Sequence, residues 1–217
     1  MNLRVLVACE FSGIVRDAFA AKGHDAWSCD LLPSERGGKH IQGDITKLAD
    51  LPVPINFPST FDLLIAHPEC TYLNHAGIRW LYKDGKRWLK DDAGRIVGEN
   101  PRDPERWKAM EKGVWFFLNF WNAPISRICI ENPRQHPYAE ELIGVTYSQE
   151  IQPWQFGEGE IKATRFWLKN LPKLKPTNIV EGRVPRVHHA SPGPDRWKER
   201  SRTLEGVAKA MADQWNF

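Results

Sequence analysis

The sequence predicts an α/β domain built on a mostly parallel sheet, and three observations lead there. Short runs rich in Val, Leu and Ile recur along the chain, with helical or turn-forming stretches between them; this is the rhythm of strand and crossover. Several of the runs end on an acid or a cysteine, at the strand end where an open parallel sheet binds its ligands. The chain has 217 residues, of which 41% are hydrophobic, enough to fill the core of one domain.

The elements follow in order. Residues 3–9, LRVLVAC, predict a buried strand. FSG turns the chain, and IVRDAFAAKG sets Ile14, Val15, Ala18 and Phe19 on one helical side, with Gly23 as its stop. HDAWSCD, 24–30, is a second strand, LLPSERGGK a loop, HIQGDI, 40–45, a short third strand, and FDLLIAH, 61–67, a fourth. From 74 to 104 the chain turns polar, basic and aromatic; the turn signals KDGK and DDAG predict a mobile insertion with a hairpin. PERWKAMEKGVWFFLNFWN, 104–122, reads as an amphipathic helix with Pro104 in its first turn. RICIEN, 127–132, is a fifth strand, and GVTYSQEIQPW and TRFWLKN are later ones. TLEGVAKAMADQW, 203–215, closes the chain as a helix with Leu204, Val207, Ala208, Met211 and Trp215 on one face.

Composition narrows the function. A net charge of +3 does not mark the chain as a whole as a nucleic-acid binder, although local clusters can still do so. Ten tryptophans imply an aromatic core or a surface that stacks on flat ligands. Cys9, Cys29, Cys70 and Cys129 lack zinc-site spacing, so a reducing, cytoplasmic setting without disulfides is expected. The apolar run at the N-terminus is too short for a signal peptide, and no membrane span is expected. Adjacent His188 and His189 are poorly placed to chelate one ion together, and no metal is assigned.

Asp30, Asp44, Cys70 and Glu131 stand at ends of predicted strands. They either converge on one crevice or are solvated loop residues. Cys70 sits in HPECTYL, where Pro68 stiffens the exit of a strand. A cysteine there is an aimed nucleophile or one more small apolar residue; Cys9, Cys29 and Cys129 read as core.

With these residues in view, the chain resembles the DNA cytosine-5 methyltransferases, and among them the small variants encoded by phages and prophages. CEFSG resembles the glycine-bearing first loop, so Glu10, Phe11, Ser12 and Gly13 would lie under the cofactor. Asp30 and Leu31 in SCDLL match the position that binds the ribose hydroxyls, and Asp44 and Ile45 in GDI match the adenine contact. PEC, 68–70, resembles the PPC of the catalytic loop, with Pro68 against the cofactor and Cys70 as nucleophile. ENP, 131–133, resembles ENV, and TRFWL, 164–168, resembles the strand carrying an RxR pair, with Arg165 at the second arginine. The resemblance implies a Rossmann-like fold, S-adenosylmethionine as cofactor and DNA as substrate, single-stranded or with its base flipped. Cys70 would add to carbon 6 of cytosine as a thiolate, which needs surroundings that lower its pKa. Glu131 would share a proton with ring N3, a task helped by a raised pKa. Asn132 would fix the loop, and Arg165 would hold O2 or order the glutamate.

The departures are specific. Glu69 replaces a proline, Ala163 beside Lys162 stands at the first arginine, and the first loop lacks its second glycine. No target-recognition domain is evident, so a separate specificity partner is one expectation. Two basic segments offer another. Arg79, Lys83, Lys86 and Arg87 alternate with Trp80, Tyr82 and Trp88, a pattern that neutralises phosphates and stacks on bases, or else a hairpin whose tryptophans pack on the body. The second is the basic, irregular stretch 182–202. Two rival functions stay open: methyl transfer to RNA, a nucleotide or a base amino group, and a binding module without turnover.

Overall fold

The computed structural model describes residues 2–50, 58–187, 189, 191 and 193–217. Its strands are β1 (Arg4–Ala8), β2 (Asp25–Asp30), β3 (His40–Gln42), β4 (Leu63–Ala66), β5 (Trp88–Lys90), β6 (Ile96–Glu99), β7 (Arg127–Asn132), β8 (Gln149–Ile151) and β9 (Thr164–Lys169). Its helices are α1 (Ile14–Ala20), α2 (Pro104–Trp121), α3 (Pro137–Ile143), α4 (Arg196–Ser201) and α5 (Glu205–Gln214). Seven strands form one sheet in the order β3-β2-β1-β4-β7-β9-β8. The pairs from β3 to β7 are parallel, and β9 runs antiparallel to both of its neighbours. The predicted class, a Rossmann-like α/β fold on a mostly parallel sheet, is the one the chain adopts.

Alternating side chains explain why these runs form central strands. Val5, Val7, Leu63, Ile65, Cys129 and Phe166 enter one core with α1 and α5. Leu6, Ala8, Leu64, Ala66, Ile128 and Trp167 enter the other, against α2 and α3. Both faces of each strand are buried, so the strands read as nearly continuous apolar runs. At roughly 25 cal/mol per Å², this two-sided burial is the main force holding the sheet together.

The chain enters at β1, in the middle of the sheet. It winds outwards through β2 to β3, then crosses back to β4 on the other side of β1. That reversal is a topological switch point, and it opens a crevice at the carboxyl ends of β1 and β4. Cys9 to Gly13 leave β1 there, and His67 to Cys70 leave β4 there.

Several elements differ from expectation. The third strand stops at Gln42, which leaves Asp44 in the following turn. Only Gln149–Ile151 of GVTYSQEIQPW pairs, because this edge strand has a single neighbour. Residues 133–143 drew no prediction, yet α3 forms there, with Pro137 at its start and His136 Nδ1 accepting from Ala139 N as a cap. The stretch 182–202 contains α4, and His188, Ala190 and Pro192 within it lie outside the described residues. The 74–104 insertion does hold a hairpin, β5 with β6. Its base is anchored: Leu81 and Tyr82 are buried, the Tyr82 hydroxyl meets that of Tyr138 at 2.6 Å, and Trp107 Nε1 donates to Leu81 O. No helix among the described residues is long and apolar enough to cross a membrane.

Candidate active site

The loop after β1 is built around Glu10. Its carboxylate accepts from Val15 N at 2.6 Å, Arg16 N at 3.2 Å and the Ser12 hydroxyl at 3.4 Å. An acid at the start of a helix satisfies its unpaired N–H groups and favours its dipole. The Glu10 side chain, expected under a cofactor, is thus turned into its own chain. Gly13 precedes α1 at φ 73°, and a Cβ there would come within 2.4 Å of the buried Arg16 guanidinium. The glycine serves this backbone shape and the packing of Arg16. Phe11 is buried, with the Trp197 ring 6.0 Å away.

The acids at the next two strand ends are more open. Asp30 accepts from Leu32 N through Oδ1, and burial raises its pKa above the usual carboxylate range. Leu31 beside it is 70% exposed. Asp44 takes the backbone and hydroxyl hydrogens of Thr46, and Ile45 is half-buried. A carboxylate has lone pairs beyond those used here. Carboxylates beside an exposed apolar side chain suit a nucleoside, with its hydroxyls, amino group and flat base.

At β4 the chain leaves as His67-Pro68-Glu69-Cys70. Asn132, at the end of β7, donates through Nδ2 to Pro68 O at 3.0 Å and so ties the exit loop to the neighbouring strand. Cys70 O accepts from Leu73 N and Asn74 N, both at 3.0 Å, and from Asn74 Nδ2 at 2.9 Å. Cys70 is therefore the fixed first residue of a turn. Its thiol is not activated as expected. Burial raises its pKa, and the adjacent Glu69 adds to this; the charges of Lys162 and Arg200 oppose them. Glu69 is exposed, so its share is small. Glu69→Gln is expected to speed alkylation of Cys70 by iodoacetamide modestly, by less than about twofold at pH 8. An unchanged rate would mean that Glu69 has no share in raising the thiol.

Glu131 comes from the same end of β7 and is buried. Its Oε2 lies 3.0 Å from His67 Nδ1 and accepts from the Thr203 hydroxyl at 2.9 Å. Burial would raise its pKa. The hydrogen bond and charge of His67 outweigh this, helped by Lys162 and Thr203, and lower it to about 2. This corrects the expectation of a raised glutamate: the carboxylate is buried, but against His67, whose own pKa is raised. A cavity of about 10 Å³, the size of one water molecule, borders Glu131 between Lys162, Thr164, Thr203 and Val207.

Arg165 is elsewhere. It lies opposite Asn132 across the β7–β9 pair, and its guanidinium binds Glu140 at 2.7 Å and Glu150 at 3.2 Å over the Tyr147 ring. Strand alternation puts it on the α3 side of the sheet, whereas Glu131 faces the segment before α5. It does not order Glu131. The cation whose charge reaches both Cys70 and Glu131 is Lys162, with its Nζ on Arg202 O at 2.9 Å.

The segment from α4 to α5 straps the crevice. Trp197 packs on Phe11, Arg202 pairs with Glu35, Arg36 pairs with Glu205, and Thr203 reaches Glu131. The two arginine pairs are exposed, and such pairs contribute about 0–1 kcal/mol each.

On the insertion, Trp80 is 45% and Trp88 43% exposed, so neither packs fully on the body. Arg79 lies over Trp80 at 4.4 Å, and Lys83 and Lys86 are exposed. Arg87 is bound to Glu99 at 2.8 Å and lies over Trp88 at 4.4 Å. Sequence reasoning missed His67, Thr203 and the central place of Lys162. His67 adjoins the Cys70 motif and was legible only as a neighbour. Nothing local marks Thr203.

No protein-family model and no curated protein sequence matches the chain. Among solved structures it is similar to an E. coli prophage-encoded protein provisionally described as a DNA modification methyltransferase, at 16% identity and a TM-score of 0.44. The match covers 82% of this chain and 52% of that one, so the chain spans about half the length of that structure.

Proposed function

We propose that the protein transfers a methyl group from S-adenosylmethionine to carbon 5 of cytosine in DNA, with Cys70 as the nucleophile. The observation that carries this reading is the placing of the Cys70 turn and Glu131 at the carboxyl ends of the adjacent strands β4 and β7, tied by the Asn132–Pro68 hydrogen bond. Asp30, Leu31, Asp44 and Ile45 would hold the nucleoside part of the cofactor, and the loop from Glu10 to Gly13 would form the floor. The cofactor, when bound, supplies an electrophilic methyl group on a sulfonium.

The chain's own residues supply the rest. Cys70 Sγ, as a thiolate, forms a bond to carbon 6, and the displaced electron pair moves to N3, which takes a proton beside Glu131. Carbon 5 is then nucleophilic enough to accept the methyl. A water molecule takes the carbon 5 proton. The electron pair left behind restores the 5,6 double bond as the carbon–sulfur bond breaks and Cys70 leaves as a thiolate, and N3 returns its proton. The cavity at Glu131 is too small for a base, so the strap from Trp197 to Glu205 would have to move as the substrate enters. Arg79, Lys83 and Lys86, with Trp80, would hold the strand through phosphates and stacking. Arg87 would first have to leave Glu99.

The test is nucleoside mass spectrometry of unmodified DNA incubated with the protein and S-adenosylmethionine. 5-Methylcytosine is the expected product. A different methylated base would redirect the reading to amino transfer, and RNA or free nucleotides methylated in place of DNA would redirect the substrate. The raised Cys70 thiol favours a second reading, a nucleic-acid-binding module without turnover, which predicts retention of DNA and no methylated base.

A further inference from the structure

The proposed reaction has a proton to place, and Glu131 is poorly suited to hold it. Its carboxylate is buried against an imidazole and a hydroxyl that both stabilise the ionised form. We propose that His67 holds the site's proton for Glu131, so that the His67–Glu131 pair, rather than the glutamate alone, serves the substrate's ring nitrogen. This rests on the methyl-transfer reading above and adds to it a positioning residue that acts through Glu131.

Two features of the structure support it, the contact with Glu131 and the surrounding charges, against the cost of one unpaired ring nitrogen. His67 Nδ1 is 3.0 Å from Glu131 Oε2, and the imidazole side chain is 11% exposed. Its other nitrogen, Nε2, is buried without a hydrogen-bond partner. An imidazolium leaves an unpaired N–H at Nε2, and the charge-assisted hydrogen bond from Nδ1 to the buried carboxylate outweighs that cost. The surrounding charges agree: Glu10 from the β1 loop, Asp30 from the end of β2 and Glu131 from β7 are acids, and the charge of Lys162, before β9, opposes them. Burial would lower the imidazole pKa, but the hydrogen bond and charge of Glu131 and the charge of Glu10 raise it instead.

The proton balance is simple. Before reaction the pair is imidazolium and carboxylate, with no net charge. When the thiolate adds and N3 becomes basic, the N–H bond at Nδ1 breaks, the proton crosses Glu131, and an N–H bond forms at N3. The pair is then neutral imidazole and carboxylate. When the carbon–sulfur bond breaks, N3 gives the proton back by the same path.

The first test needs no substrate. Imidazole ¹⁵N shifts of the whole protein, assigned by the loss of one resonance pair in His67→Gln, are followed against pH. His67 is expected to remain doubly protonated above the ordinary range near 6.5 and to fall by about one unit or more in Glu131→Gln. Thr203→Val serves as a milder variant should Glu131→Gln not fold, and weaker competition for Glu131 is expected to raise the His67 midpoint further. A neutral His67 at pH 6 in the native protein would overturn the proposal. The second test is the kcat pH profile. His67→Gln is expected to lower kcat about 10²-fold or more with KM little changed, and to abolish the alkaline limb. If Cys70 is required for methyl transfer while His67→Gln keeps kcat and its profile, the methyl-transfer reading stands and the role of His67 falls. If the native protein transfers no methyl group, that reading falls, and the imidazole titration still decides the pair.

Discussion

Cys70→Ser is expected to remove 5-methylcytosine formation by roughly 10³-fold or more while leaving the fold and DNA binding intact. The size of the effect follows from the chemistry. A hydroxyl is a far weaker nucleophile than a thiolate at neutral pH, and replacing the group that forms the covalent bond costs most of the rate that its site supplies. The fold should tolerate the change because the turn is held by Cys70 O rather than by its sulfur. The native rate carries a pH signature of its own. The thiol is raised by burial, so in the free protein the thiolate fraction at neutral pH is small and grows as pH rises through the alkaline range. Alkylation of Cys70 should therefore climb well past pH 9, and a plateau reached by pH 8 would show an activated thiol. Equal methylation by Cys70→Ser and native protein would exclude the covalent route and favour transfer to a base amino group.

Gly206→Ala is expected to have the largest effect on stability, and it lies away from the proposed chemistry. Gly206 is in the first turn of α5, and a Cβ built on it would lie 1.9 Å from the carbonyl oxygen of Phe156. That oxygen belongs to backbone, and Phe156 is itself buried in the α1–α5 core, so no side chain can swing aside. Either α5 or the Phe156 turn has to shift. Overpacking of this kind costs about 3 kcal/mol, which for a chain of this length lowers Tm by about 10 °C. Because Thr203 sits just before α5, the shift would also pull its hydroxyl from Glu131. Thermal unfolding checks the first consequence and the His67 titration the second. A Tm within about 2 °C of the native value would mean that the close approach is relaxed without cost.

The charged pair also shapes stability against pH. Glu131 is depressed in the folded state, so its contribution is present above its unfolded value near 4.3 and is lost as pH falls towards about 2. His67 is raised, so its contribution is full below about 6.5 and is lost as pH rises through its folded value. The two overlap between roughly pH 4.3 and 6.5, where the pair supports the fold most.

The sequence by itself determined the central strands of the sheet. LRVLVAC, FDLLIAH and RICIEN are short β-rich apolar runs, and a strand buried on both faces needs little beyond that. It also determined that acids and Cys70 follow those strands, since position along the chain is local information. Short elements with weak patterns were read poorly: α3, capped by a histidine, drew no prediction, and only three residues of the run predicted as a later strand form β8. Tertiary structure alone decided which groups meet. Glu131 takes its hydroxyl from Thr203, 72 residues away, and its imidazole partner from His67, just past the end of β4. Arg165, next in motif order, faces the other side of the sheet and pairs with Glu140 and Glu150. Tertiary structure also decided the charge states, with a thiol raised and a glutamate lowered. A side chain's pKa is set by burial and by charges within a few ångströms, and those neighbours come from distant parts of the chain.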